Sequence, residues 1–187
     1  MTPLGHLAVA YSLGRGISRG VGTSTTSLAP TTLLATVVGG LAPDVDFLLV
    51  GSSRFNALHR SLTHNLFFVL AVAALCAYVA FRVYSERSSR GAFLGAVTGG
   101  LSHLFADAIL DSNASNGVGV AALWPLSGWF FSPFNLAQTR CPSWEEPLAA
   151  VLCNAPLILW EVPFYLLATL LWWRNFASRR LASAETD

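Results

Sequence analysis

The chain has 187 residues, of which 53% are hydrophobic and 11% charged, with a formal net charge of +1. An ordinary soluble domain carries about 25% charged residues, so this composition excludes a well-solvated globular surface and points to an integral membrane protein. A near-neutral chain without a basic patch also lacks the electrostatic footprint of nucleic-acid binding, and no nucleic-acid partner is expected.

In chain order, the first candidate element is Leu4 to Leu13, which carries His6 and is short and followed by glycines. It reads as a short spanning, re-entrant or interfacial helix. No basic leader or cleavage site marks the start, so a removable signal peptide is not expected. A spanning helix needs about 20 mainly apolar residues. Thr31 to Val50, Asn65 to Val83, Gly91 to Leu110 and Glu146 to Trp173 approach that length, the last with room to tilt or to break near Pro156 and Pro163.

Two of these spans carry ionisable residues in their second halves: Asp44 and Asp46 in Thr31 to Val50, and His103 and Asp107 in Gly91 to Leu110. Such residues are expensive in a bilayer and usually face a bundle interior. Pro43 removes an N–H and Gly39-Gly40 loosens the preceding turn, so a local break is expected there. A break matters because carboxylates two apart point to opposite faces of an α-helix but to one side of an extended segment. They can flank metal, or one can bind it while the other orients a ligand histidine. Simple placement of acids at a helix N-terminus is the competing reading.

Between the first two of these spans lies His59-Arg60-Ser61-Leu62-Thr63-His64, where Ser61 or Thr63 is expected to cap the following helix. Capping accounts for the hydroxyls and leaves both histidines unexplained. Arg60 offers a planar fork for an oxyanion such as phosphate, or is an ordinary interfacial arginine. In the later span, Gly91, Gly95, Gly99, His103 and Asp107 recur every fourth residue and so share one helical face. The glycines form a small-residue seam for close packing, and His103 with Asp107 can grip one ion, unless the pair is only a hydrogen-bonded packing feature. The aromatic turn Leu123-Trp124-Pro125-Leu126 and Gly128-Trp129-Phe130-Phe131 suits interfacial anchoring.

All eleven basic residues are Arg. Arg15, Arg19, Arg87, Arg90, Arg174, Arg179 and Arg180 fall on one side of the spans, and Arg54, Arg60 and Arg140 on the other. The first side is therefore read as cytoplasmic, with the C-terminus there, and Asp44, Asp46, His59, His64, His103 and Asp107 approach the outer face, where His6 joins them only if the first segment starts on that side and runs inward. Cys76 and Cys153 lie in apolar stretches and Cys141 in a loop without C-x-x-C spacing, so neither a disulfide framework nor a thiolate zinc site is expected. No G-x-S-x-G, Walker-type or G-x-G-x-x-G pattern occurs, which leaves serine hydrolysis and nucleotide binding without support.

Gly5-His6, Leu41-Ala42-Pro43-Asp44-Val45-Asp46, His59 to His64, Leu101-Ser102-His103-Leu104-Phe105-Ala106-Asp107 and Leu123-Trp124-Pro125 occur in the order seen in the YdjM-like family of inner-membrane metal-dependent hydrolases. Over roughly Met1 to Phe134 the chain resembles that family. The resemblance implies a helical membrane domain with a divalent metal site, distantly similar to zinc-dependent phospholipase C. It carries the ligand set onto His6, Asp44, Asp46, His59, His64, His103 and Asp107. Some members have a further histidine where this chain has Phe47, a departure that bears on the number of metals.

The combined expectation is an all-α polytopic membrane protein of about four to five apolar helices packed around a His/Asp metal site. Residues 1–174 are expected as one membrane-embedded domain and 175–187 as a polar cytoplasmic tail. The expected location is the inner membrane, with the site near its outer face. The expected cofactor is a divalent metal, zinc first, and the expected function is hydrolysis of a phosphoester or related bond in a lipid-like substrate at the bilayer. Asp46 or Asp107 is expected as general base, with Arg60 steadying the anion. The alternative is a metal-binding membrane protein without catalysis, a transporter or a metal-stabilised scaffold.

Overall fold

Capping and proline placement set the element boundaries in the computed structural model, which describes residues 1–20, 28–110, 112–113, 119–134, 136, 138–139 and 145–184. Arg140 and Cys141 lie outside the described residues. Helix α1 spans Pro3–Gly20. Thr2 caps it, its hydroxyl accepting from the Gly5 N–H at 3.2 Å, and Pro3 occupies the first helical position where no N–H is needed. Helix α2, Leu28–Leu41, then passes directly into a 3-10 helix, Ala42–Leu49, at Pro43. The break expected at Pro43 is therefore present, in the form of a tighter winding.

Helix α3, Ser53–Leu58, is capped by Ser52, and helix α4, Leu66–Val83, by Asn65, whose side chain accepts from the Phe68 N–H. Asn65 also donates to the carbonyls of Ser61 and Leu62 at 2.7 and 2.9 Å. The capping role expected of Ser61 or Thr63 is corrected accordingly. The Ser61 hydroxyl is spent on the Leu58 carbonyl and that of Thr63 on Asp46.

Helix α5 is Glu86–Leu110, α6 is Pro147–Asn154, and α7, Ile158–Ala184, follows a short 3-10 turn at Ala155–Leu157. Pro163 lies inside α7, and α7 continues past Arg174. Ser112–Asn113 pair in parallel with Gln138–Thr139, and Val120 bridges Phe131; the regular structure of the other described residues is helical. Among the described residues, three segments are long and apolar enough to cross a membrane: Pro30–Leu49, Leu66–Val83 and Glu86–Leu110. Pro147–Cys153 with Ile158–Ser178, bent by 75°, makes a fourth if the pair is one broken span. These coincide with the four stretches expected from composition.

The packing is that of a membrane bundle, with small residues inside and large apolar ones outside. Buried alanines, Ala35, Ala73, Ala80, Ala92 and Ala96, form one interior cluster. Leu34, Leu75, Phe105, Leu166 and Trp173 stand exposed on the periphery. Helices α2 and α5 meet backbone to backbone along the glycine seam. A Cβ on Gly95 would lie 2.5 Å from the Thr32 carbonyl oxygen, and one on Gly99 2.0 Å from that of Thr36. Helix α4 joins them where Gly100 leaves room for Val69, and α1 where Gly40 leaves room for Ala10. This close approach of α1, α2 and α5 fixes the frame on which the polar residues converge.

Cys153 is disulfide-bonded and Cys76 is free, so the expectation of no disulfide is corrected. Nothing in the local spacing signals such a bond, because a disulfide needs proximity in the fold rather than a motif.

Candidate metal centre

Four elements deliver seven polar side chains to one buried cluster. Helix α1 supplies His6, the 3-10 helix Asp44 and Asp46, the segment between α3 and α4 His59 and His64, and α5 His103 and Asp107. All seven are buried. Without their mutual contacts so many ionisable groups could not remain out of water.

The centre of the cluster is a facing pair of imidazoles. Nε2 of His64 and Nε2 of His103 are 3.1 Å apart. Asp107 Oδ2 lies 3.5 Å from each, and Asp44 Oδ1 lies 3.7 Å from each. Ligand atoms held about 2.0–2.1 Å from a tetrahedral zinc stand about 3.3 Å from one another. The five separations bracket that edge length.

The outer ring atoms settle which way the lone pairs point. His103 Nδ1 is 2.8 Å from the Gly40 carbonyl oxygen, which can only accept, so Nδ1 carries the proton. Thr63 donates its hydroxyl proton to Asp46 Oδ2 at 2.9 Å, leaving its oxygen to accept from His64 Nδ1 at 3.1 Å. In the neutral tautomers both Nε2 lone pairs therefore face each other, which is repulsive without a proton or a cation between them. Burial alone would lower the His64 pKa, but its contacts with Asp107, Asp44 and Asp46 outweigh burial and raise it to about 10. The cluster is thus built to hold positive charge.

A second group surrounds Asp46. His59 Nδ1 lies 3.0 Å from Asp46 Oδ2, and His64 Nδ1 3.5 Å from the same oxygen. Burial keeps His59 neutral, its pKa lowered to about 4 despite Asp46. One donor atom from each of Asp46, His59 and His64 falls within 4.8 Å of the others, and the same holds for His6, Asp44 and His103. Asp44 Oδ2, Asp46 Oδ1 and His6 Nδ1 are buried with no hydrogen-bond partner among the described residues. Unpartnered buried polar atoms are rare, and beside a ligand cluster they fit a site that takes a cation.

His6, whose membership depended on the course of the first segment, is in the cluster. Its Nε2 is 3.1 Å from Asp107 Oδ1, and its ring stacks on that of His103 with centroids 3.5 Å apart. Arg60 is buried rather than interfacial. It sits at φ 68°, with Nη2 3.5 Å from Asp107 Oδ2 and Nη1 donating to the Gly119 carbonyl at 3.4 Å. The aromatic turn contributes backbone as well as surface. The Ala121 N–H donates to the Arg60 carbonyl and the Leu66 N–H to that of Ala122, bracing the histidine segment, while Leu126 and Trp129 remain exposed.

Glu161 is a further buried carboxylate, outside the set expected from the sequence. Its signal was available, an acid inside an apolar span.

The profile of the YdjM inner membrane protein family matches residues 1–181. The inner membrane protein YbcI of Escherichia coli strain K12 is 30% identical over 181 residues, covering 93% of this chain and 98% of YbcI. No solved structure matches. The match runs beyond Phe134 to take in α7, and the chain belongs to the YdjM inner membrane protein family.

Proposed function

We propose that this inner-membrane protein is a metal-dependent hydrolase acting on a phosphoester or related bond of a lipid-like substrate. The observation that carries the metal is the 3.1 Å approach of two imidazole Nε2 atoms flanked by two carboxylate oxygens at tetrahedral separations. His64, His103, Asp44 and Asp107 would hold the ion, with His6 and His59 completing the ligand set. Zinc or a similar divalent ion bound there would supply Lewis-acid polarisation and lower the pKa of water.

The protein's own residues then divide the remaining work. Asp46 reaches the Nδ1 edge of His64, so it orients that ring and stiffens the ligand set. Asp46, which is not assigned to that ion and whose Oδ1 has no hydrogen-bond partner among the described residues, is the carboxylate left to take a proton as general base, while Asp107 holds the ion. The Arg60 guanidinium beside Asp107 steadies the anionic group of the substrate. An apolar groove of about 420 Å3 between α1 and α7, lined by Leu4, Leu7, Tyr11, Ala168 and Trp172, supports a substrate with a hydrocarbon tail.

The disulfide at Cys153 suits an oxidising compartment and supports an outward-facing site, with the C-terminus cytoplasmic. The burial of all seven candidate ligands favours a second reading, a closed metal site that stabilises the bundle without catalysis.

Elemental analysis of the purified protein is expected to find stoichiometric divalent metal that His64→Ala and His103→Ala lose. Retention of full metal by both variants would sink the metal reading. Hydrolysis of phospholipid or isoprenoid-phosphate panels, lost on metal removal and in the same variants, separates catalysis from scaffolding.

A further inference from the structure

Glu161 lies within an apolar helix and is only 2% exposed. A carboxylate placed there is costly unless its oxygens are satisfied. Among the described residues three uncharged groups donate to it: the Thr2 N–H to Oε1, the Thr2 hydroxyl to Oε2, and the Tyr165 hydroxyl to Oε2. Two of them belong to the cap of α1, so the carboxylate stands at the positive end of that helix, where the dipole stabilises it.

The cap works in two directions. The Thr2 hydroxyl donates to Glu161 and accepts from the Gly5 N–H, while the Thr2 carbonyl accepts from the His6 N–H at 3.0 Å. Glu161 can come this close only because residue 5 has no side chain. A Cβ on Gly5 would meet Glu161 Oε2 at 2.6 Å. The Gly5-His6 pair thus joins room for the anchor to the histidine it sets.

We propose that Glu161 of α7 is a positioning residue for the metal centre: by clamping the Thr2 cap it fixes the start of α1 and seats His6 between Asp107 and His103. His6 is one turn from Thr2, and its ring position against Asp107 Oδ1 and the His103 ring leaves little tolerance for a shift of the helix start. The proposal rests on the metal reading above for its readout.

Cobalt titration of the full-length protein tests it, followed by the visible ligand-field band and the dissociation constant. Wild type is expected to bind cobalt. Glu161→Ala is expected to weaken binding about tenfold or more and to change the band as His6→Ala changes it. Glu161→Gln, which keeps an acceptor for Thr2, is expected to restore most of the loss. The Glu161→Ala, His6→Ala double variant is expected to bind no more weakly than His6→Ala alone, because Glu161 acts through His6.

A wild-type band and affinity in Glu161→Ala, or additive losses in the double variant, would overturn the positioning role. Should Glu161→Ala fail to fold, Gly5→Ala displaces the carboxylate while keeping it, and the same readouts decide. Absence of cobalt binding by wild type overturns the metal reading itself.

Discussion

The α2–α5 contact and the α1–α7 contact hold helices together by opposite means. Between α2 and α5 there is almost no side-chain volume: Gly91, Gly95 and Gly99 bring one backbone against Thr32 and Thr36 of the other. Between α1 and α7 a few polar atoms do the joining, Glu161 with Thr2 at one end and Arg15 donating to Asn175 at 2.6 Å at the other. In a bilayer, where lipid tails compete for apolar contact, close packing supplies dispersion over a whole face, whereas a hydrogen bond supplies direction at one point. The first contact sets the scaffold, and the second sets where one histidine stands.

The contrast is easiest to break at Gly99. Gly99→Val puts a branched side chain where a Cβ already falls 2.0 Å from a backbone oxygen. The helices have to separate, at a cost of about 3 kcal/mol or more, and the variant is expected to lose both its helical melting transition and its metal. Gly16→Val, with nothing within 4 Å of its Cβ, is the control. Equal stability of the two would refute the scaffold role of the seam.

An intermediate effect is expected at Asp46, a member of the cluster that takes no part in the glycine seam. Asp46→Asn should lower metal affinity about 10–100-fold and leave the helical circular dichroism of the protein as it is. A metal affinity indistinguishable from wild type would remove Asp46 from the orienting role. The smallest effect belongs to Asn65→Ala, which removes the cap of α4 and two bonds to the carbonyls of Ser61 and Leu62 without touching a ligand atom, and is expected to cost about 1–3 kcal/mol, read as a lowered Tm with metal content retained. A loss of metal in that variant would mean that the two bonds from Asn65 to Ser61 and Leu62 hold the histidine segment in place for its ligands.

The same division explains what the sequence made legible. The glycine repeat ahead of His103 and Asp107 is periodic within one helix, so both the seam and the shared face follow from spacing four. Pro43 announced the break at Asp44 and Asp46, although only the structure shows that it takes the form of 3-10 winding. His6 was conditional because its partners lie a hundred residues away, and short-range pattern says nothing about where an 18-residue helix docks. Arg60 read equally well as interfacial because its burial depends on the return of the 119–131 turn. Asn65, Ser61 and Thr63 are all capping residue types, and only the fold shows that the two hydroxyls are engaged elsewhere and leave the cap to Asn65. The Glu161 clamp on Thr2 is likewise the product of a distant encounter.

Arg60 adds a tension of its own. Its backbone sits at φ 68°, a region where a side chain costs about 1–2 kcal/mol and glycine costs nothing. A glycine at position 60 would relax the chain and delete the guanidinium beside Asp107, so ease of folding and charge at the centre pull the same residue in opposite directions. Removing one partner of a buried ion pair costs about 3–5 kcal/mol, more than the backbone would regain, so a screen for thermostable variants of this protein should retain Arg60 unless Asp107 is changed with it.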